Sequence, residues 1–189
     1  MSFAWIKRTV CLILALVVLI AGLLFTVITL YPIRYTDIIK EMSIKYDLPL
    51  EIVFAVIHTE SRFRPEVRSH ASAAGLMQLM PATAAWAAEN VGMSDYNEER
   101  ITEPRVNIEL GCWYLNWLYG QFEAQDTVFA AYNAGNGRVS GWLRDDRYSS
   151  DGITLEHIPF PETRNYVQRV NAAMPVYRML LTIFGRFLS

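Results

Sequence analysis

Residues Leu50 to Ser61 read LEIVFAVIHTES, with Asp47-Leu48-Pro49 as a break before them. Ile52, Val53, Val56 and Ile57 recur at i, i+1, i+4 and i+5, the stripe of a helix with one buried face. Counting back by fours from Glu60 returns Val56 and Ile52. A carboxylate thus takes the next step of an apolar stripe at the end of a core helix. Periodicity alone leaves two equal readings. Glu60 is either a surface residue beyond the end of the stripe or an acid held out of water. In the second case burial raises its pKa, as does the nearby helix C-terminus. A carboxyl still protonated near neutrality can donate a proton to a leaving oxygen.

Outward from this helix the pattern stays helical, which predicts a mainly α fold with at most a very short β element. Thr36 is expected to cap a helix through about Tyr46. A polar loop follows from Arg64 to Gly75. Pro81 opens a helix to about Asn90, in the first-turn position that proline favours. Another is expected from Pro104 and Arg105 to about Phe122. Asp126 is expected to cap Thr127 to Ala134, with Gly135-Asn136-Gly137 as the stop. A final long helix starts near Glu162. Short strands have room only at Gly75 to Met80 and Ile153 to Ile158.

The 189 residues are 52% hydrophobic and 19% charged, apolar for a globular chain. The excess lies at the front: no charge occurs from Val10 to Pro32. Such a run is long enough to cross a bilayer, which takes about 20 apolar residues. Lys7 and Arg8 precede it, so the positive-inside bias places residues 1–9 in the cytosol, a transmembrane anchor at 10–32 and a domain at 33–189 outside. A cleaved signal peptide is the alternative, but no small-x-small site follows Gly22. Beyond Pro32, 15 Lys and Arg face 19 Asp and Glu. No clustered basic face suggests nucleic acid. Cys11 and Cys112 fall in the span and in the domain, so no disulfide is expected. His58, His70 and His157 form no metal signature, Ser61 sits in no nucleophile elbow, and no cofactor is expected.

Four motifs carry a resemblance. They are Glu60-Ser61, then Gly75-Leu76-Met77-Gln78-Leu79-Met80-Pro81, then Ala131-Tyr132-Asn133-Ala134-Gly135, then Glu162-Thr163-Arg164-Asn165-Tyr166-Val167. Glu103-Pro104 with Asn107 and Gly111 adds a fifth stretch. In this order and spacing the chain, from about Tyr35 to Tyr177, resembles the soluble lytic transglycosylases, relatives of goose-type lysozyme. The resemblance implies a lysozyme-like helical domain that cleaves the glycan strands of peptidoglycan. It implies Glu60 as the single catalytic acid and base, with the Tyr132 hydroxyl close to it. Ser69, Gln78, Met80, Asn133, Glu162 and Tyr166 are implied as substrate-binding residues. Ser72 departs from the glycine common in the family. Taken singly, Met77 and Met80 read as core fillers, Tyr132 and Tyr166 as packed aromatics, and Glu162 as a helix-start charge. A hydrolytic muramidase and a non-catalytic peptidoglycan-binding module are the alternatives. The segment from Met174 to Leu188 reads as a last core helix or as one lying on the membrane.

Overall fold

The structure is a computed structural model and describes residues 3–184. It divides into two compact units, Met1–Ile33 and Arg34–Ser189.

The first unit is one helix, α1 (Phe3–Leu30). Its stretch from Lys7 to Leu30 is long and apolar enough to cross a membrane. Thr26 and Thr29 donate their hydroxyls to the carbonyls of Gly22 and Phe25, at 2.9 and 2.8 Å. This internal bonding hides the only hydroxyls in the latter half of the helix, as an apolar solvent demands.

The second unit is helical. It comprises α2 (Thr36–Lys45), α3 (Leu50–Ser61), α4 (Pro81–Asn90), a 3-10 turn (Glu98–Thr102), α5 (Pro104–Tyr119), α6 (Gln125–Ala134), α7 (Asn136–Leu143) and α8 (Pro161–Phe184). No strand occurs among the described residues. Arg68 and Ala74, then Ala74 and Leu79, pair only as isolated bridges. The 153–158 segment, read as a possible strand, is irregular.

Helix α3 is the centre. Ile52 to Ile57 are all buried, so the helix is enclosed on every side rather than along one stripe. It packs against α8 and α2, while α5 joins α2, α4 and α6. Phe54, Phe63 and Tyr177 pin α3 to α8, with ring centroids 5.3 to 6.1 Å apart. Each is fully buried, and removing one such ring costs about 3–5 kcal/mol. Met174, Tyr177 and Leu180 are buried in α8, so this part of the C-terminal segment is a core helix. Residues 185–189 of that segment lie outside the described residues.

Three boundaries differ from expectation. Thr36 is not a cap: Tyr35 holds that place in a left-handed conformation, φ 57°, with no side-chain cap bond. Asp126 does not cap α6 either. Ala124 holds the cap position, and Asp126 instead accepts from Asn171 Nδ2 of α8 at 2.8 Å. Helix α5 stops at Tyr119, because Gly120 and the turn to Phe122 close over its last carbonyls.

Candidate active site

Glu60 sits on the last turn of α3. The helix ends abruptly: Arg62 and Phe63 both take left-handed backbone, φ 51° and 60°. Burial of the Phe63 ring in the core holds this reversal, which otherwise costs roughly 1–3 kcal/mol per residue. The chain then loops back over the helix end. Ser61 Oγ donates to the Leu76 carbonyl oxygen at 2.7 Å, tying the loop beside Glu60.

Asn107 of α5, wholly buried, is the bracket for that loop. Its Oδ1 accepts from the Met77 amide at 2.6 Å, and its Nδ2 donates to the carbonyls of Ala74 and Ile101 at 3.0 and 2.7 Å. Gly75, at φ +84°, leaves the space for it: a Cβ there would lie 2.2 Å from Asn107 Nδ2. Gly111 similarly admits Met77, whose sulfur would lie 2.4 Å from an added Cβ. Gln78, also left-handed at φ 47°, donates from Nε2 to the Val67 and Gly75 carbonyls at 2.8 and 2.9 Å. The Tyr132 hydroxyl closes the set, donating to the Met77 carbonyl oxygen at 2.9 Å.

The loop so held forms one wall of a cleft of about 310 Å³. Gln78, Met80, Tyr132 and Asn133 line it, with Thr83, Tyr114 and Arg138. Asn133 is oriented by Thr163, whose hydroxyl donates to its Oδ1 at 2.8 Å. Glu60 is not among the residues that line this cleft; its link to it is Tyr132, whose phenol feels the carboxylate charge. A larger cleft of about 410 Å³ lies at the other end of α3, beside Ile52, and holds none of these residues.

Glu60 keeps only part of its surface open, and its carboxyl is closely surrounded by protein. Desolvation pushes its pKa from 4.5 up to about 8. The Tyr166 hydroxyl and then Arg169 pull it back down, while Glu162 adds to the rise. Tyr166 is fully buried, and its hydroxyl reaches Glu60 without closing a hydrogen bond of ordinary geometry. Burial, and then the Glu60 charge, hold the Tyr132 and Tyr166 phenols well above their usual range. A carboxyl pushed up to about 8 is mostly protonated at neutral pH, and the two phenols, held above their usual range, are neutral.

The structure therefore groups Glu60, Tyr132, Tyr166 and Glu162 electrostatically, and Gln78, Met80, Tyr132 and Asn133 along one cleft. Ser69 stands apart from both groups. It is exposed, and its Oγ accepts from the Ala73 amide at 3.0 Å within its own turn. The Tyr132 proton is donated to the Met77 carbonyl oxygen. Sequence reasoning found Ser61 and Asn107 only as motif members, and missed Thr163 as a brace and Arg169 as a charge. None of these carries a local pattern of its own.

Comparisons with known proteins bear on the family and the fold. The model of the transglycosylase SLT domain family matches residues 37–153. The soluble lytic murein transglycosylase of Escherichia coli K12 is 36% identical over 155 residues, covering 80% of this chain and 24% of that protein. The membrane-bound lytic murein transglycosylase C of Glaesserella parasuis is 27% identical, covering 77% and 46%. The crystal structure of the 70 kDa soluble lytic transglycosylase of E. coli superposes with a TM-score of 0.75 at 35% identity, covering 86% of this chain and 27% of that one. An inactive glutamate-to-glutamine mutant of the Pseudomonas aeruginosa enzyme Slt superposes at 0.70 with 34% identity, covering 80% and 25%. The chain thus spans about a quarter of the length of the soluble relatives. With more than half of its residues inside the family model, and with the lysozyme-like helical fold of these structures, the chain belongs to the transglycosylase SLT domain family.

Proposed function

We propose that the chain is a lytic transglycosylase that cuts the β-1,4 bond from N-acetylmuramic acid to N-acetylglucosamine in peptidoglycan. One observation carries this reading: a carboxyl with its pKa raised to about 8 is coupled through Tyr132 to a groove lined by family-motif residues. Protonated Glu60 donates to the bridging oxygen as the C1–O bond breaks. The N-acetyl group of the cut sugar stabilises the cationic carbon, so no enzyme nucleophile is needed. Glu60, now ionised, takes the proton of the muramic acid 6-hydroxyl. That oxygen bonds to C1 and closes a 1,6-anhydro ring. No water is consumed, and Glu60 ends protonated as it began.

Tyr132 acts here as an acceptor. Its proton lies on the Met77 carbonyl, which leaves its lone pairs for the Glu60 proton or the substrate amide N–H. Gln78, Met80 and Asn133 line the groove and would hold the glycan. Tyr166 and Glu162 would act through Glu60, whose charge they feel, and Ser69, exposed in its own turn, would meet the strand outside the cleft.

A hydrolytic muramidase needs a second carboxylate across the bond to activate water or to act as nucleophile. Asp95 and Glu103 are both taken by Arg100, the latter at 3.0 Å. The carboxylate whose charge reaches Glu60 is Glu162, an exposed residue in the first turn of α8. This favours the single-carboxylate route. The test is mass spectrometry of digested sacculi. Anhydro-ended muropeptides are expected; reducing ends would mean a muramidase, and no release of fragments a binding module.

We further propose that α1 is a single-pass anchor with residues 1–9 in the cytosol and 33–189 as an extracytoplasmic catalytic domain. Lys7 and Arg8 on the N-terminal flank, the apolar stretch of α1 and a relative named as membrane-bound support this.

A further inference from the structure

Helix α4 buries only Ala84, Ala87 and Ala88, so it lies on the domain through its smallest side chains. Its one large side chain, Trp86, also packs on α5, yet it stays 37% exposed. An exposed indole is common by itself. This one is held unusually firmly. Its ring stands perpendicular to those of Trp113 and Trp117 on α5, at centroid distances of 4.7 and 4.9 Å. Tyr114 meets it edge-on at 6.3 Å and stacks parallel to Trp117 at 6.1 Å. An immobilised ring loses little conformational freedom when a ligand lands on it.

The cluster is also continuous with the groove. Thr83, three residues before Trp86 and so on the same side of α4, lines the cleft. Tyr114 lines it too and touches the Tyr132 ring, with centroids 5.4 Å apart. A run of rings thus leads from Tyr132, beside Glu60, out to the exposed Trp86. We propose that Trp86 is a stacking platform for a sugar of the glycan strand, several residues from the bond that is cut. The inference rests on the glycan-cleaving reading above and extends its site along the polymer. The chemistry fits the ligand. A β-linked pyranose presents a face of C–H bonds with its hydroxyls around the edge, which is apolar contact for an indole face with no charge to desolvate.

The test uses the full chain in detergent micelles, with Glu60→Gln to stop turnover. The probes are peptide-stripped glycan strands of long and of tetrasaccharide length. Trp86→Ala should weaken long-strand binding about tenfold and tetrasaccharide binding far less. Equal loss at both lengths, or no loss at either, overturns the proposal; equal loss would mean that Trp86 merely pins α4 to α5. Should that variant fail to fold, acrylamide quenching of the parent protein decides. Long strands should shield tryptophan fluorescence and tetrasaccharides should not, and unchanged quenching overturns the platform. Sacculus digestion by the parent enzyme separates the two claims. If it cuts and yet Trp86→Ala shows no length dependence, only the platform falls. If it neither cuts nor binds glycan, the enzymatic reading falls with it.

Discussion

The Tyr132 hydroxyl donates to the Met77 carbonyl oxygen at 2.9 Å, so its single proton is committed before any substrate arrives. The same bond anchors the loop that walls the cleft. Tyr132→Phe keeps the ring packed on Tyr114 but leaves a buried carbonyl with one partner fewer. Stability should fall by about 1–2 kcal/mol. Turnover should fall on the order of a hundredfold, mainly in kcat, because an acceptor beside the reacting sugar is lost. Urea unfolding and sacculus digestion read the two effects separately. A variant with normal kcat would remove Tyr132 from the chemistry and leave it as a brace.

Glu60→Gln should abolish measurable turnover and stabilise the fold in a pH-dependent way. The carboxyl titrates near 4.5 when unfolded and about 8 when folded. Between these values only the folded chain holds the proton. The folded state therefore loses up to about 1.4 kcal/mol of stability for each pH unit climbed. This contribution is intact below pH 4.5 and gone above pH 8. Glutamine does not titrate, so the melting temperature of the variant should rise above that of the parent increasingly from pH 5 to pH 8. Parallel melting curves across that range would show that Glu60 is not held dry.

How much of this was legible in sequence depends on the reach of the forces involved. Helix α3 was read to the residue, because Pro49 and a dense apolar run are local signals. Helix α7 was not, since Gly137 and Gly141 argue against an eight-residue helix. Burial of Val139 and Trp142 overrides that propensity. The Glu98–Thr102 turn has no periodicity and rests on Asn97 accepting from the Glu99 amide at 3.1 Å. The stripe leaves Glu60 at two equal readings and only the family motifs single it out, whereas its raised pKa comes from desolvation in the folded domain. Asn107 enters the sequence reading only as a motif member in the first turn of α5, and its three-way bracket exists only once α5 meets the loop.

The pH profile of kcat/KM should be flat on the acid side of about pH 8 and fall tenfold per unit beyond it, because the active form carries the Glu60 proton. Tyr166 draws that pKa down. Tyr166→Phe should therefore move the falling limb to higher pH. A limb that stays in place would mean the phenol does not act on Glu60 in solution.

Gly75→Ala and Gly135→Ala make a matched pair. Both glycines have positive φ, +84° and +92°, so each substitution carries backbone strain of about 1–2 kcal/mol. At Gly135 nothing lies within 4 Å of an added Cβ, whereas at Gly75 Asn107 Nδ2 would lie at 2.2 Å. Gly75→Ala should thus cost several kcal/mol more, since Asn107 must also release buried bonds. Denaturant midpoints give the comparison. Equal costs would show that the loop is not braced by Asn107, and would weaken the account of how the cleft wall is held.

Membrane extraction tests whether α1 anchors the chain. A helix of 24 residues from Lys7 to Leu30 is about 36 Å long, enough for a hydrocarbon core about 30 Å thick. Thr26 and Thr29 bond within the helix, so neither hydroxyl of its C-terminal half needs water. The full chain expressed in bacteria should stay in the membrane pellet through alkaline carbonate, which strips peripheral proteins. Protease added outside spheroplasts should digest the domain, because Lys7 and Arg8 retain the N-terminus inside. Replacing both with glutamate removes the bias and should leave a share of the domains protected. Release of the parent chain by carbonate, or full protection of its domain from external protease, would contradict the proposed topology.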